Sequence, residues 1–147
     1  GPRKCTRSSW TGAFVAERYF SPADVEALIP RLTRIMERVM SAYTEAGTVR
    51  HRLQAEQQRI TASGGGVLDR RAWQTAKERG EQLTGELQRG LDEIVKLGGA
   101  PKDLGLGLVD FLHLRDGEEV NLCWKYGEYA ITHWHGLDEG YAGRKPL

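Results

Sequence analysis

Three of the four histidines in this 147-residue chain, His113, His133 and His135, sit near Cys123 in its C-terminal third. On a β-strand, residues two apart leave the same face with Cα atoms about 6.5–7 Å apart. His133 and His135 so placed could share one metal cation. Asp138 or Glu139, just past that strand, could fold back as a carboxylate ligand. Two histidines and a carboxylate with open positions form a catalytic zinc or non-haem iron set. Cys123 or His113 could join from neighbouring strands, and a cysteine shifts the preference towards zinc or another thiophilic ion. The competing reading makes His133 a half-exposed strand residue and His135 a hydrogen-bonded structural histidine.

A second constellation is Asp110, Glu128, His135, Asp138 and Arg144. A carboxylate beside His135 could hold its tautomer and raise its pKa, making an acid/base pair. Arg144 could fork onto a carboxylate or phosphate. The plainer alternative is that Arg144 ties the C-terminal segment to Asp110 or Asp138. Trp124 and Trp134, with Tyr126, Tyr129 and Tyr141, could line an aromatic pocket, or simply fill the core. No clear nucleophile is present: Cys123 lies between Leu122 and Trp124, the setting of a buried inert thiol.

These residues need a sheet to hold them. Leu106–Leu114 and Glu119–Lys125 read as strands joined by a turn at Arg115-Asp116-Gly117, in which Asp-Gly is the informative pair. Tyr126-Gly127-Glu128 turns again, and Tyr129–His135 reads as a third strand. The expectation is an antiparallel β-meander over 104–135, followed by a C-terminal tail over 136–147.

The first hundred residues have a different period. Ser21-Pro22-Ala23-Asp24 starts a helix, with Ser21 as cap and Asp24 placed to reach back to it. Pro30 lacks an N–H, so a kink or restart is expected there. Leu32, Ile35, Met36, Val39, Tyr43, Ala46, Leu53 and Ile60 then form one stripe on a long helix ending near Ala62, and Ser63-Gly64-Gly65-Gly66 breaks it. A second helix spans about Asp69 to Leu97, with Trp73, Ala76, Gly80, Leu83, Leu87, Leu91 and Ile94 on its stripe. Gly80 is the expected point of close approach. Gly98-Gly99-Ala100-Pro101 stops this helix. The fold class is therefore α+β: a long antiparallel helical hairpin over 19–98, with a kinked N-terminal helix, packed on a small C-terminal meander. Two helices bury one stripe each, so self-association through the hairpin into a four-helix bundle is the expected partnership.

Length and composition set the bounds. The chain suits one domain, with 28% charged and 39% hydrophobic residues, a globular balance. A net charge of +1 argues against strong global attraction to nucleic acid or anionic membrane. Arg50-His51-Arg52 and Asp69-Arg70-Arg71 leave only a minor case for nucleic acid. No apolar run approaches the roughly 18 residues of a membrane span. Two cysteines do not make a disulfide framework. A soluble, cytoplasmic domain is expected. Residues 1–18 read as a flexible basic tail, with Gly1-Pro2 a protease-cleavage scar and Trp10 and Phe14 available to pin it.

Several segments are specific as a set: Tyr19–Pro30, Gly107–Phe111, Asp116–Trp124 and Trp134–Leu147. With them the chain resembles, over 19–147, the bacterial family known as DUF2203, a domain of unknown function. The resemblance supplies no activity. It implies a pattern with a Trp-His pair, an Asp and a terminal Gly-Arg-x-Pro-Leu, here Trp134, His135, Asp138, Gly143, Arg144, Pro146 and Leu147. In that pattern positions 113 and 133 are not usually histidine.

Three functions stay open on these grounds. The first is a metal-binding domain using His133 and His135 with Asp138, Cys123 or His113. The second is a non-enzymatic dimeric interaction module. The third is a small anionic ligand binder using Trp124, Trp134, Glu128, Asp110 and Arg144 without metal.

Overall fold

The computed structural model describes residues 18–64 and 69–147. The expected N-terminal tail, apart from Arg18, and the Gly65-Gly66 part of the helix breaker lie outside the described residues. Helix α1 spans Pro22–Ala62 and helix α2 Arg70–Leu97. Strands β1 (Ala100–Asp103), β2 (Leu108–Arg115), β3 (Glu118–Lys125), β4 (His133–Gly136) and β5 (Lys145–Pro146) follow. They form one antiparallel sheet in the order β1-β2-β3-β4-β5. No helix among the described residues is long and apolar enough to cross a membrane.

The start of α1 is the capping box expected from its sequence. Asp24 N donates to Ser21 Oγ at 3.0 Å, and Ser21 N to Asp24 Oδ2 at 2.9 Å. The expected restart at Pro30 does not occur, because α1 continues through it as one element. Pro30 is exposed, so the Glu26 carbonyl that loses its helical donor can turn to water. The inner stripe also differs. Tyr43 is 46% exposed, and Ala42 and Val49 take the inner positions. Strictly alternating steps of three and four average 3.5 residues, so on a turn of 3.6 such a stripe drifts away from the buried face.

The helices lie antiparallel, with Arg38 reaching Glu93 at 2.9 Å and Arg79 reaching Glu45 at 2.6 Å. Of the glycines in α2, Gly90 is the one packed most tightly on α1: an added Cβ there would overlap Val39 Cγ2. At Gly80, the expected site, a Cβ would sit an ordinary 3.6 Å from Val49. Gly98 ends α2 with a left-handed φ of 101°.

Beyond the helices the two central strands match expectation closely. Asp116 (φ 50°) and Gly117 (φ 82°) both lie in the left-handed region, and Arg115 pairs with Glu118 across a two-residue turn. Sequence reading missed β1 and β5. Each is short, contains a proline and lies at an edge of the sheet, where a missing donor costs no ladder bond. The third expected strand is also shorter, starting at His133 and not at Tyr129. The segment before it is held as a loop: Lys125 N donates to Glu128 Oε1, Trp124 Nε1 to the Glu128 carbonyl, and Ile131 N to Glu26 Oε2.

The register assigns the two faces. Val109 opposite Trp124 and Phe111 opposite Leu122 point towards the helices and join a core with Phe20, Val25, Leu32, Met36 and Ile94. Phe20 meets Phe111 edge to face at 5.1 Å. Asp110 opposite Cys123 therefore points to the other face, away from the helices. That face is covered by the chain after β4.

Candidate functional site

Three buried side chains meet on the face away from the helices. Asp110 (5% exposed) comes from β2, Cys123 (1%) from β3 and His135 (2%) from β4. Asp110 and Cys123 are direct cross-strand partners, and His135 lies opposite Asn121, two residues along β3 from Cys123. The Asp110 and His135 side chains thus converge over β3 from either side. One ligand atom from each of the three lies within 4.8 Å of the others, and this is the one such group among the described residues.

His135 uses both ring nitrogens. Nδ1 is 2.9 Å from the Gly136 carbonyl oxygen, which can only accept, so Nδ1 carries the hydrogen and donates it. The lone pair of a neutral ring is then on Nε2, which faces Asp110 Oδ1 at 3.1 Å. Two acceptors do not attract one another. A positive centre, a shared proton or a metal cation, belongs between them. A histidine whose other N–H is tied to a carbonyl is also the usual form of a metal ligand.

Burial pushes the Cys123 thiol up to about 11, and the Asp110 charge adds to this while Arg144 opposes it. Without a cation Cys123 is a protonated, unreactive thiol. Its sulfur, an imidazole nitrogen and a carboxylate oxygen together make a donor set suited to zinc or another thiophilic ion.

A cavity of about 110 Å³ opens beside the three residues, walled by Lys102, Leu108, Asn121, Leu137, Glu139 and Tyr141. The chain after β4 forms its cover. Glu139 accepts from Lys145 Nζ and from Gly136 N at 2.8 Å, which together hold its carboxyl below the usual range. A 3-10 turn at Tyr141–Gly143 follows. Arg144 then reaches Glu128 at 3.1 Å and stacks 4.4 Å from the Tyr141 ring centre. Burial works against the Arg144 charge, and the hydrogen bonds to Glu128 prevail, so its pKa stays above the ordinary value.

The structure sorts the residues singled out from sequence. Asp110, Cys123 and His135 come together. His133 lies outside the group, with Nδ1 2.7 Å from Thr132 Oγ1. His113 is on the helix side, where Nδ1–H donates to the Phe20 carbonyl at 2.6 Å. Asp138 is exposed, and its neighbour Glu139 is the carboxylate that folds back. Arg144 ties down the C-terminal segment through Glu128, and not through Asp110 or Asp138. Trp124 is a core residue. Trp134 has the Arg115 and Lys145 cations each 4.7 Å from its ring, and its Nε1 is buried without a partner among the described residues. Neither tryptophan lines the cavity. Lys102 and Asn121 were not singled out from sequence. The one signal that finds Asn121 is its register with His135.

No curated protein and no solved structure matches the chain. Residues 18–147 match the family described as "Uncharacterized conserved protein (DUF2203)". The chain spans nearly the whole of its described length in that match, and it belongs to the DUF2203 family.

Proposed function

We propose that this domain binds one divalent thiophilic cation, zinc foremost and iron second, through Cys123 Sγ, His135 Nε2 and an Asp110 carboxylate oxygen. The observation that carries the reading is the 3.1 Å approach of His135 Nε2 to Asp110 Oδ1 with Nδ1 already donating to a carbonyl. That spacing is close to the roughly 3.3 Å edge of a tetrahedron with ligand bonds near 2.0 Å. The cation would supply Lewis acidity, and the protein would supply orientation and a shielded wall. The cation takes the place of the Cys123 proton when it binds.

Elemental analysis of untagged protein, with a parallel chelator competition, tests the reading. Near-stoichiometric metal is expected in the native chain. His135→Ala, Cys123→Ser and Asp110→Asn should each weaken binding by more than the roughly 10–100-fold that loss of a supporting group costs. His133→Ala and His113→Ala should leave it unchanged. Native protein that neither retains nor takes up a stoichiometric cation overturns the reading. Loss of metal in His133→Ala overturns this choice of ligands.

A further inference from the structure

We infer that the cavity beside Asp110, Cys123 and His135 is a binding site for a small oxyanion, a carboxylate or phosphate group, that completes the coordination of the bound cation. The inference rests on the cation site proposed above. Three observations support it.

The first is an open position. Three protein ligands leave a tetrahedral ion one short, and an open fourth position distinguishes catalytic from structural zinc. Asp110, Cys123 and His135 all form part of the cavity wall, so a group held in the cavity would lie against the ion.

The second is size. A volume of about 110 Å³ has room for roughly three or four water molecules. That suits a single oxyanion group.

The third is charge. A divalent cation balances the Cys123 thiolate and the Asp110 carboxylate. Arg144 is matched by Glu128, and Glu139 by Lys145. Lys102 and Lys125 make no ion pair among the described residues. Lys102 lines the cavity. Lys125 shares the face of Cys123, two residues along β3, and its Nζ lies 5.4 Å from the ring of Tyr141, another wall residue. Leu108, another wall residue, is paired with Lys125 in the sheet. Two lysines without an ion-pair partner among the described residues thus stand beside the loaded site, one on the cavity wall and one against a wall residue, and an anion is the complementary ligand.

Cobalt(II)-loaded full-length chain gives a direct test, because thiolate-to-cobalt absorption reports the cation and the d–d bands report its fourth ligand. Inorganic phosphate or acetate should shift the d–d bands saturably, and chloride at matched ionic strength should not. The arm that responds identifies phosphate or carboxylate as the preferred group. In Lys102→Ala/Lys125→Ala the half-saturating concentration should rise about tenfold, with cobalt affinity and the thiolate band unchanged. If the thiolate band forms but neither anion moves the d–d bands, or the double variant responds like the native chain, the oxyanion site is wrong and the cation site stands. If no thiolate band forms, the cation site fails and the oxyanion site fails with it.

Discussion

Gly90 of α2 faces Val39 of α1 so closely that a methyl group at position 90 would overlap Val39 Cγ2. The helix pair therefore tolerates a glycine mid-helix, normally a cost of about 1 kcal/mol, in return for a short interhelical distance. Gly90→Ala should lower unfolding free energy by about 1–3 kcal/mol in denaturant titrations. Gly80→Ala, with ordinary space around its new methyl, should raise it by up to about 1 kcal/mol. Adding Val39→Ala to Gly90→Ala should recover part of the loss. A neutral Gly90→Ala would mean the helices are farther apart than described.

The Asp110–His135 pair lends itself to a double-mutant cycle on chelator-treated protein. Both groups are almost fully buried, so removing one strands the other. Asp110→Ala and His135→Ala should each cost about 3–5 kcal/mol. The double variant should cost clearly less than their sum. Strict additivity would show that the two side chains do not interact in solution.

Cys123 makes a signed pH prediction for the metal-free protein. The fold holds this thiol proton up to about 11, against an ordinary 9.0. The folded state binds the proton more tightly than the unfolded state does. The associated stability is complete below pH 9.0 and disappears as pH climbs towards about 11. The difference in stability between native and Cys123→Ala protein should narrow over that interval. A constant difference would show that the thiol is not buried as described.

Glu128 joins two parts of the chain, accepting from Lys125 N within its loop and from Arg144 in the C-terminal segment. Glu128→Ala should destabilise by about 2 kcal/mol. It should also speed amide exchange in 137–147 more than elsewhere. Glu128→Gln, which keeps an acceptor for Lys125 N, should fall between. Unchanged exchange in that segment would mean that other contacts hold the cover down.

What sequence alone could supply depended on how local each signal was. The Ser21 cap, the Gly98 stop and the Asp116-Gly117 turn each rest on a few consecutive residues, and all three were readable. The identity of the residues around the site was partly readable too, since Asp110, Cys123 and His135 were each singled out. Their grouping was not. It depends on the register of β2 on β3 and of β4 on β3, and the latter follows a loop whose shape is set by distant groups such as Glu26. The same-face spacing of His133 and His135 was sound geometry. It could not show that Asp110 would lean over β3 to meet one of the two. Lys102 and Asn121 have no local signature, because cavity walls are assembled from separate strands.

Helix α1 has 41 residues, a rod about 60 Å long. Its contacts with the sheet-side core end near Met40, and beyond Leu53 none of its residues is fully buried. The outer end is thus a mast with little rigging. Warming or light protease treatment should fray the molecule from that end inwards, leaving a shortened core in which Asp110, Cys123 and His135 still meet.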